Sequence, residues 1–294
     1  MRTIADGQGC AVIITYNPSD GLTESLAEIR PQVSHLVIID NGSARDVETT
    51  LEELRSKFEC DLILNRSNLG IAKALNLGIE YAQSRGCQYV VFFDQDSIVG
   101  DSEYVASLLE AYDRSIQSRR VAIVAPRYVD RSSGAELSSA MDRDDCLLTA
   151  MTSGTLIPAQ VFERIGIFEE SFYMDYVDIE FSLRCRRAGY SIVQATKALL
   201  LHSLGMRTTH NFCERPFSTT NHNASRRYYI TRNRLLTMHR YWRDWQWFIR
   251  EVRAFVAEFL KIILVEENRN GKLKGIALGV VDALRNKTGR QVAL

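Results

Sequence analysis

Tyr89-Val90-Val91-Phe92-Phe93-Asp94-Gln95-Asp96-Ser97 is an apolar run that stops on two carboxylates one residue apart. A short Val- and Phe-rich run predicts a buried strand, and the change at Asp94 marks where that strand leaves the core. Working outward, three similar units precede it. Residues 11–16 are β-branched and stop at Asn17-Pro18, residues 36–39 stop at Asn41-Gly42-Ser43, and residues 62–64 form a third short strand. Residues 22–30, 47–58 and 71–84 between them read as helices, the second by its Val47, Leu51, Leu54, Phe58 spacing. Four strands separated by three helices make β-α-β units. These favour a parallel, doubly wound α/β sheet with its ligand site at the C-terminal ends of the strands.

Beyond Asp101 the alternation loosens. A helix is expected over 104–114, a strand over 121–125, an extended stretch over 150–157 and a short helix over 161–165 followed by Gly166. A further helix over 179–188 is closed by Gly189, residues 191–201 are extended, and from Tyr228 the chain turns helical, broken at 268–271. The expected division is a catalytic domain over 1–225 and a helical region over 226–294.

Composition narrows the class. Of 294 residues, 46% are hydrophobic and 24% charged, which excludes a disordered or collagen-like chain. Lys plus Arg and Asp plus Glu are each 36, so no general electrostatic hold on nucleic acid is expected. Cys10, Cys60, Cys87, Cys146, Cys185 and Cys213 form no CxxC pair and read as free buried thiols of a reducing compartment. The opening MRTIADGQG has no apolar signal core. The apolar stretch 255–265 holds Glu258 and Lys261 and is about half of the ~20 residues a membrane span needs. A cytoplasmic protein, at most peripheral on the inner face of the membrane, is the expectation.

The polar strand ends carry the chemistry. In an extended segment residues i and i+2 share a face, so Asp94 and Asp96 are placed to meet a divalent cation, its waters or a ribose hydroxyl. Thr15-Tyr16-Asn17 offers an aromatic face to a nucleobase, and Asp40-Asn41-Gly42-Ser43 offers a carboxylate to a base or ribose edge. Asn65 to Gly70 adds amides, hydroxyls and a cation. Each stretch alone also reads as a turn, since turns need the same residues.

Taken in order with Asn68-Leu69-Gly70-Ile71-Ala72-Lys73, Thr152-Ser153-Gly154, Asp175-Tyr176-Val177-Asp178-Ile179-Glu180 and His202, these stretches resemble the family-2 glycosyltransferases of the GT-A fold, within them the bacterial rhamnosyltransferase-like members. The resemblance runs from Val12 to about Tyr241. It implies a nucleotide-diphospho-sugar transferase with a mixed, mainly parallel Rossmann-like sheet and a helical C-terminal region. It also implies inverting transfer of a sugar from a nucleotide-diphosphate donor, dTDP-rhamnose favoured, to an acceptor hydroxyl of a bacterial surface polysaccharide, lipid-linked acceptors included. By that resemblance Tyr16 sits near the base with Thr15 and Asn17 beside it, Asp40 accepts a hydrogen bond from the base, and Asn68, Lys73, Gln95, Ser153 and Gly154 belong to the donor site. Asp94 and Asp96 serve ribose and metal-diphosphate, with His202 as a further ligand to Mg²⁺ or Mn²⁺. Asp178 is the implied general base. Asp175 is the reserve, because Val177 stands where the family commonly has Glu, and Glu180 also competes. An N-cap role is the plain alternative for Asp178.

Two features stay open. Arg226, Arg227, Arg232 and Arg234 form either a solvated basic face or, at Arg232 and Asn233, a clamp on the donor diphosphate. The apolar series Trp242, Trp245, Trp247, Phe248, Val252, Phe255, Val256, Phe259, Ile262 and Ile263, interleaved with Arg243, Arg250, Arg253 and Lys261, packs on its own domain, pairs two copies, or lies on the inner leaflet. Residues 92–97 also resemble the nucleophile strand of haloacid-dehalogenase-type phosphatases, with Asp94 attacking phosphorus, although that motif normally lies on the first strand of its domain. A non-catalytic nucleotide- or glycan-binding subunit is the remaining alternative.

Overall fold

The four apolar runs pair side by side in the computed structural model, which describes residues 8–18, 21–131, 133–137, 139–142, 144–202, 208–212 and 215–291. Residues 1–7, Cys213 and Ser203 to Gly205, on which the sequence reading drew, lie outside the described residues. Strands β1 (Gly9–Thr15), β2 (His35–Asp40), β3 (Asp61–Leu64) and β4 (Tyr89–Asp94) are parallel in the order β3-β2-β1-β4. Helices α1 (Gly21–Ile29), α2 (Arg45–Phe58) and α3 (Ile71–Ser84) connect them, within two residues of the expected bounds. Val12, Ile13, Val37, Ile38 and Val90 are wholly buried, as strands covered on both faces require.

The sheet continues through β5 (Ile98–Val99), β6 (Val121–Asp130), β7 (Glu136–Leu137), β8 (Leu156–Pro158) and β9 (Ser191–His202), in the order β4-β8-β6-β9-β5 with β7 on β6. β8 runs antiparallel to β4 and β6, and β5 antiparallel to β9, so the sheet is mixed. Helices α4 (Tyr104–Ser115), α5 (Ala159–Ile165) and α6 (Val177–Arg187) pack with it. The extended stretch expected over 150–157 shrinks to Leu156–Pro158. Thr155 donates its N–H and hydroxyl to the Thr152 carbonyl (3.1 and 2.6 Å), and Gly154 has φ +78°, so 152–155 is a turn. Phe92, Phe162, Phe168 and Phe181 form an aromatic cluster with ring centroids 4.7–6.2 Å apart.

The chain falls into two compact units, residues 1–170 with 177–203, and residues 171–176 with 204–294. The first unit holds the large sheet. The second holds a hairpin, β10 (Thr208–Phe212) and β11 (Arg215–Thr219), and helices α7 (Ala224–Arg240), α8 (Trp245–Leu264) and α9 (Arg269–Leu284). The expected cut at 225/226 falls inside the first turn of α7, whose cap is Asn223, accepting from the Arg226 N–H. The helical break lies at 265–268 rather than 268–271, because Asn268 takes φ +47° and Gly271 is already within α9. The described cysteines, Cys10, Cys60, Cys87, Cys146 and Cys185, are free and buried. Among the described residues no helix is long and apolar enough to cross a membrane.

Candidate active site

Parallel register brings three strand ends to one edge: Thr15 pairs with Asp40, and Ile14 with Asp94. The loops that follow are sewn together by their own polar groups. Asp40 is buried and accepts from Thr15 Oγ1 (3.0 Å), Ser43 Oγ, and the N–H groups of Gly42 (3.2 Å) and Ser43 (2.8 Å). A carboxylate has about four acceptor sites, so these bonds engage it inside the chain. The expectation that Asp40 reads a base gives way to a loop-organising position, with Thr15 as its partner. Gly42 has φ +85°, and a Cβ there would lie 2.4 Å from the Ser67 carbonyl carbon, so only glycine lets the two loops meet. Asn41 Nδ2 donates to Asn68 Oδ1 (3.2 Å) while its Oδ1 accepts from the Leu69 N–H (3.0 Å), and Asn68 Oδ1 also accepts from the Gly70 N–H ahead of α3 (2.9 Å). Asn68 thus holds the entry to α3. Lys73, in the first turn of α3, pairs with Glu170 (3.2 Å).

Tyr16 keeps its ring in solvent, 48% exposed, while its backbone N–H donates to Gln95 Oε1 (2.7 Å). Asn17, at φ +47°, donates its N–H to Ser43 Oγ (2.7 Å) and accepts from the Ala44 N–H (2.9 Å). The β1 exit, the β2 loop and Gln95 are therefore one hydrogen-bonded rim around an exposed aromatic face.

The acidic pair converges with His202. One ligand atom each from Asp94, Asp96 and His202 lies within 4.8 Å of the others. The route differs from the expected one: β4 ends at Asp94, and Gln95-Asp96 is a turn closed by the Ser97 N–H on the Asp94 carbonyl (3.2 Å). The turn, rather than strand alternation, brings Asp96 beside Asp94. His202 arrives from the far end of β9, where β5 pairs with it antiparallel. Ser97 Oγ lies 3.2 Å from His202 Nδ1 and 2.7 Å from Ser153 Oγ, and Ser153 Oγ accepts from the Asp94 N–H (3.0 Å). With Nδ1 facing Ser97, Nε2 is the nitrogen left for a cation. Two carboxylates and an imidazole fit Mg²⁺ or Mn²⁺. Ser153 and Gly154, expected on the donor, are buried and support this corner: Gly154 packs under Tyr104, whose hydroxyl donates to its carbonyl (2.8 Å). Ser97 and Asn41 are organising residues that the motifs alone do not single out: Asn41 directly follows β2, and Ser97 closes the turn after β4.

Asp178 sits inside the first turn of α6, one residue past its start at Val177, so it is not the N-cap; its Oδ1 accepts from the Ile179 N–H (2.8 Å). It lines a small cavity with Met151, Thr152, Thr155 and Phe168. Tyr128 is buried within electrostatic reach of both Asp178 and Asp94. Its single hydroxyl proton is shared between the carbonyls of Met151 (3.1 Å) and Ser153 (3.0 Å). Burial pushes the Tyr128 hydroxyl well above its ordinary value, and the negative charges of Asp178 and Asp94 push it further. Glu180, the competitor, is buried against Arg184 (2.9 Å).

Asp175 and Arg232 belong to the second unit. Arg226 grips Asp175 through Nε (3.2 Å) and NH2 (3.0 Å); burial raises the Asp175 carboxyl against the opposing pull of Arg226. Arg232 is wholly buried and donates to Asn233 Oδ1 (2.9 Å) and to the carbonyls of Gly289 (2.7 Å) and Phe172 (3.1 Å), with its guanidinium over the Tyr228 and Tyr229 rings. The expected clamp on a diphosphate is replaced by a clamp on backbone carbonyls. Asn233 does the same, donating to the carbonyls of Phe172, Met174 and Asp175 (2.8–3.0 Å). These bonds hold a segment in which Tyr173, Asp175 and Tyr176 all take positive φ.

The mixed, mainly parallel sheet followed by C-terminal helices is the fold of the GT-A glycosyltransferases. Residues 10–155 match the family described as Glycosyl transferase family 2. The chain carries a family 2 glycosyltransferase domain and is an enzyme of that class. It is 28% identical to the dTDP-rhamnosyl transferase RfbF of Shigella flexneri, over 95% of this chain and 96% of that one. It is 26% identical to the galactofuranosyltransferase GlfT1 of Mycobacterium tuberculosis over 66% of this chain and 70% of the relative. In fold it is similar to S. aureus TarS 1–349 in complex with UDP-GlcNAc, with TM-score 0.61 and 12% identity over 94% of this chain and 81% of the other. It is also similar to the mannosyltransferase PcManGT of Pyrobaculum calidifontis, in complex with GDP-Man and Mn²⁺, with TM-score 0.59 and 14% identity over 95% and 88%.

Proposed function

We propose that this enzyme transfers L-rhamnose from dTDP-rhamnose, with inversion, to an acceptor hydroxyl of a bacterial surface polysaccharide. The observation that carries the choice of donor is the match to a dTDP-rhamnosyl transferase along nearly the whole of both chains. Asp94, Asp96 and His202 would hold Mg²⁺ or Mn²⁺, whose chemistry is to neutralise charge on the departing diphosphate. The exposed ring of Tyr16 offers a flat face to the thymine base. Asp178 takes the proton of the acceptor hydroxyl as its oxygen attacks the anomeric carbon on the face opposite the diphosphate, which leaves with the electron pair of the broken bond. Asp178 lines the small cavity with Thr152 and Thr155, whereas Glu180 is buried against Arg184 and Asp175 is gripped by Arg226 in the second unit, which supports Asp178 as the base.

Calorimetric titration of dTDP-rhamnose, beside UDP-glucose and UDP-N-acetylglucosamine, each with Mn²⁺ and then with chelator, tests the reading. Metal-dependent binding of dTDP-rhamnose alone is expected; metal-dependent binding of another sugar nucleotide in its place would overturn the donor. Asp178→Asn is expected to bind the donor normally and lose about 10²–10⁴-fold in turnover. Wild-type turnover in that variant would move the base to Asp175.

A further inference from the structure

Helix α8 has two faces of different chemistry. Its carboxylates are Glu251 and Glu258, and both turn inward onto α7: Arg234 Nε donates to Glu251 (2.8 Å), Arg234 NH1 to Glu258 (2.8 Å), and Arg227 also pairs with Glu258. Trp247 and Ile262 are buried on that side. The opposite face carries Trp245, Ile249, Val252, Val256, Phe259 and Ile263, a stripe in steps of four and three residues, all exposed, Trp245 at 57% and Val256 at 53%. The exposed charges of α8 are the cations Arg250 and Arg253, and just before it Arg243 lies over the Trp242 ring (5.2 Å).

We propose that this outer face of α8 lies on an anionic phospholipid surface. Every carboxylate of the helix is turned inward, leaving an outer stripe of Trp, Phe and branched aliphatic side chains flanked on one side by Arg253 and, further round, Arg250. Such a face suits the headgroup boundary, where indole rings and guanidinium groups lie at the interface and acidic lipids attract the cations. A second copy of the chain is the weaker occupant. Two-fold packing sets a face against itself, and this one would bring the flanking Arg253 of both copies to the edge of the contact with no carboxylate of α8 exposed there to meet it. The helix is about 30 Å long at 1.5 Å per residue, enough to lie along the interface as a single anchor. The inference is independent of which sugar the enzyme transfers.

The full chain is to be sedimented with vesicles of phosphatidylcholine and of phosphatidylcholine with phosphatidylglycerol, at low and high salt. Binding to the anionic vesicles alone, weakened by salt, is expected. Arg250→Gln with Arg253→Gln should lower partitioning roughly 10-fold or more, and Val256→Glu should abolish it. These side chains are exposed, so unchanged thermal melts and donor titrations are expected for both variants. Failure to sediment with anionic vesicles, or equal sedimentation of wild type and the double Arg variant, would overturn the proposal. So would a wild-type dimer in analytical ultracentrifugation that Val256→Glu converts to monomer, since a second copy would then cover the face. The donor titrations stand apart from each of these results, so loss of the membrane proposal leaves the transferase reading intact.

Discussion

The end of β4 and the length of α7 both gather charge, but they resolve it in opposite ways. Along α7, Arg227 and Arg234 are buried and matched with acids: Arg227 with Glu266 (2.8 Å) and Glu258, Arg234 with Glu251 and Glu258, while Lys272 completes Glu266 (2.8 Å). Burial pulls the Arg227 guanidinium down from its ordinary value, and Glu266 pulls it back up. At the end of β4, two carboxylates and an imidazole converge instead, with Ser97 and Ser153 holding their backbone and ring in place. Opposite charges that satisfy one another build structure. Like charges brought within bonding range of one point make a place for a cation, and the protein's own hydrogen bonds keep that place in shape.

The largest effect that separates the two regions is Asp96→Asn. Metal-dependent donor binding and transfer should fall by about three orders of magnitude or more, while the melting temperature stays level or rises because like-charge repulsion is relieved. A large loss of stability would class this corner with α7. Arg227→Met should do the reverse: it takes one of two cations from each of Glu266 and Glu258, leaving Lys272 and Arg234 as their partners, and should cost about 3 kcal/mol of stability, the low end for breaking a buried pair. Denaturant unfolding measures that, and a cost near zero would mean that the α7 pairs are incidental. Ser97→Ala probes the support of the acidic corner, and metal affinity by titration should fall roughly 10- to 100-fold as His202 loses its orienting partner.

The smallest effect is one of pH. Burial and the neighbouring Arg226 and Arg227 hold the His222 imidazole down at about 4 against an ordinary 6.5. The folded protein resists protonating it, so the stability linked to His222 is complete above 6.5 and is lost as pH falls from 6.5 through 4. His222→Gln should flatten that part of the melting-temperature profile; an unchanged profile would remove His222 from the α7 charge system.

Much of this was legible in the chain. Strand runs such as 11–16 and 89–93, and the helix at 71–84, carry their period in consecutive residues, and each was found within a residue or two. The acidic pair announced itself because charge directly after a buried strand has few uses. Direction of engagement was not legible. Asp40, Asn68, Ser153 and Arg232 are residue types that bind nucleotides and also types that tie loops together, and only their partners in space distinguish the two uses. Arg232 is the sharpest case: its sequence neighbours suggest a basic helix face, yet its guanidinium closes on the carbonyls of Phe172 and Gly289. The turn at 152–155 was likewise hidden, since Ala150 to Ile157 is apolar enough to pass for a strand.

The sequence by itself determined the alternating β-α frame, the placing of polar residues at strand ends, and the amphipathic character of α8, because each of these is a local pattern of side-chain polarity. Tertiary structure decided which polar groups meet. Asp94 and His202 are more than a hundred residues apart, and the pairing of β9 with both β6 and β5 brings them together. It also decided that the acids of α8 face α7 while Arg250 and Arg253 are exposed, because burial of the Arg227 and Arg234 guanidiniums requires carboxylates on that side.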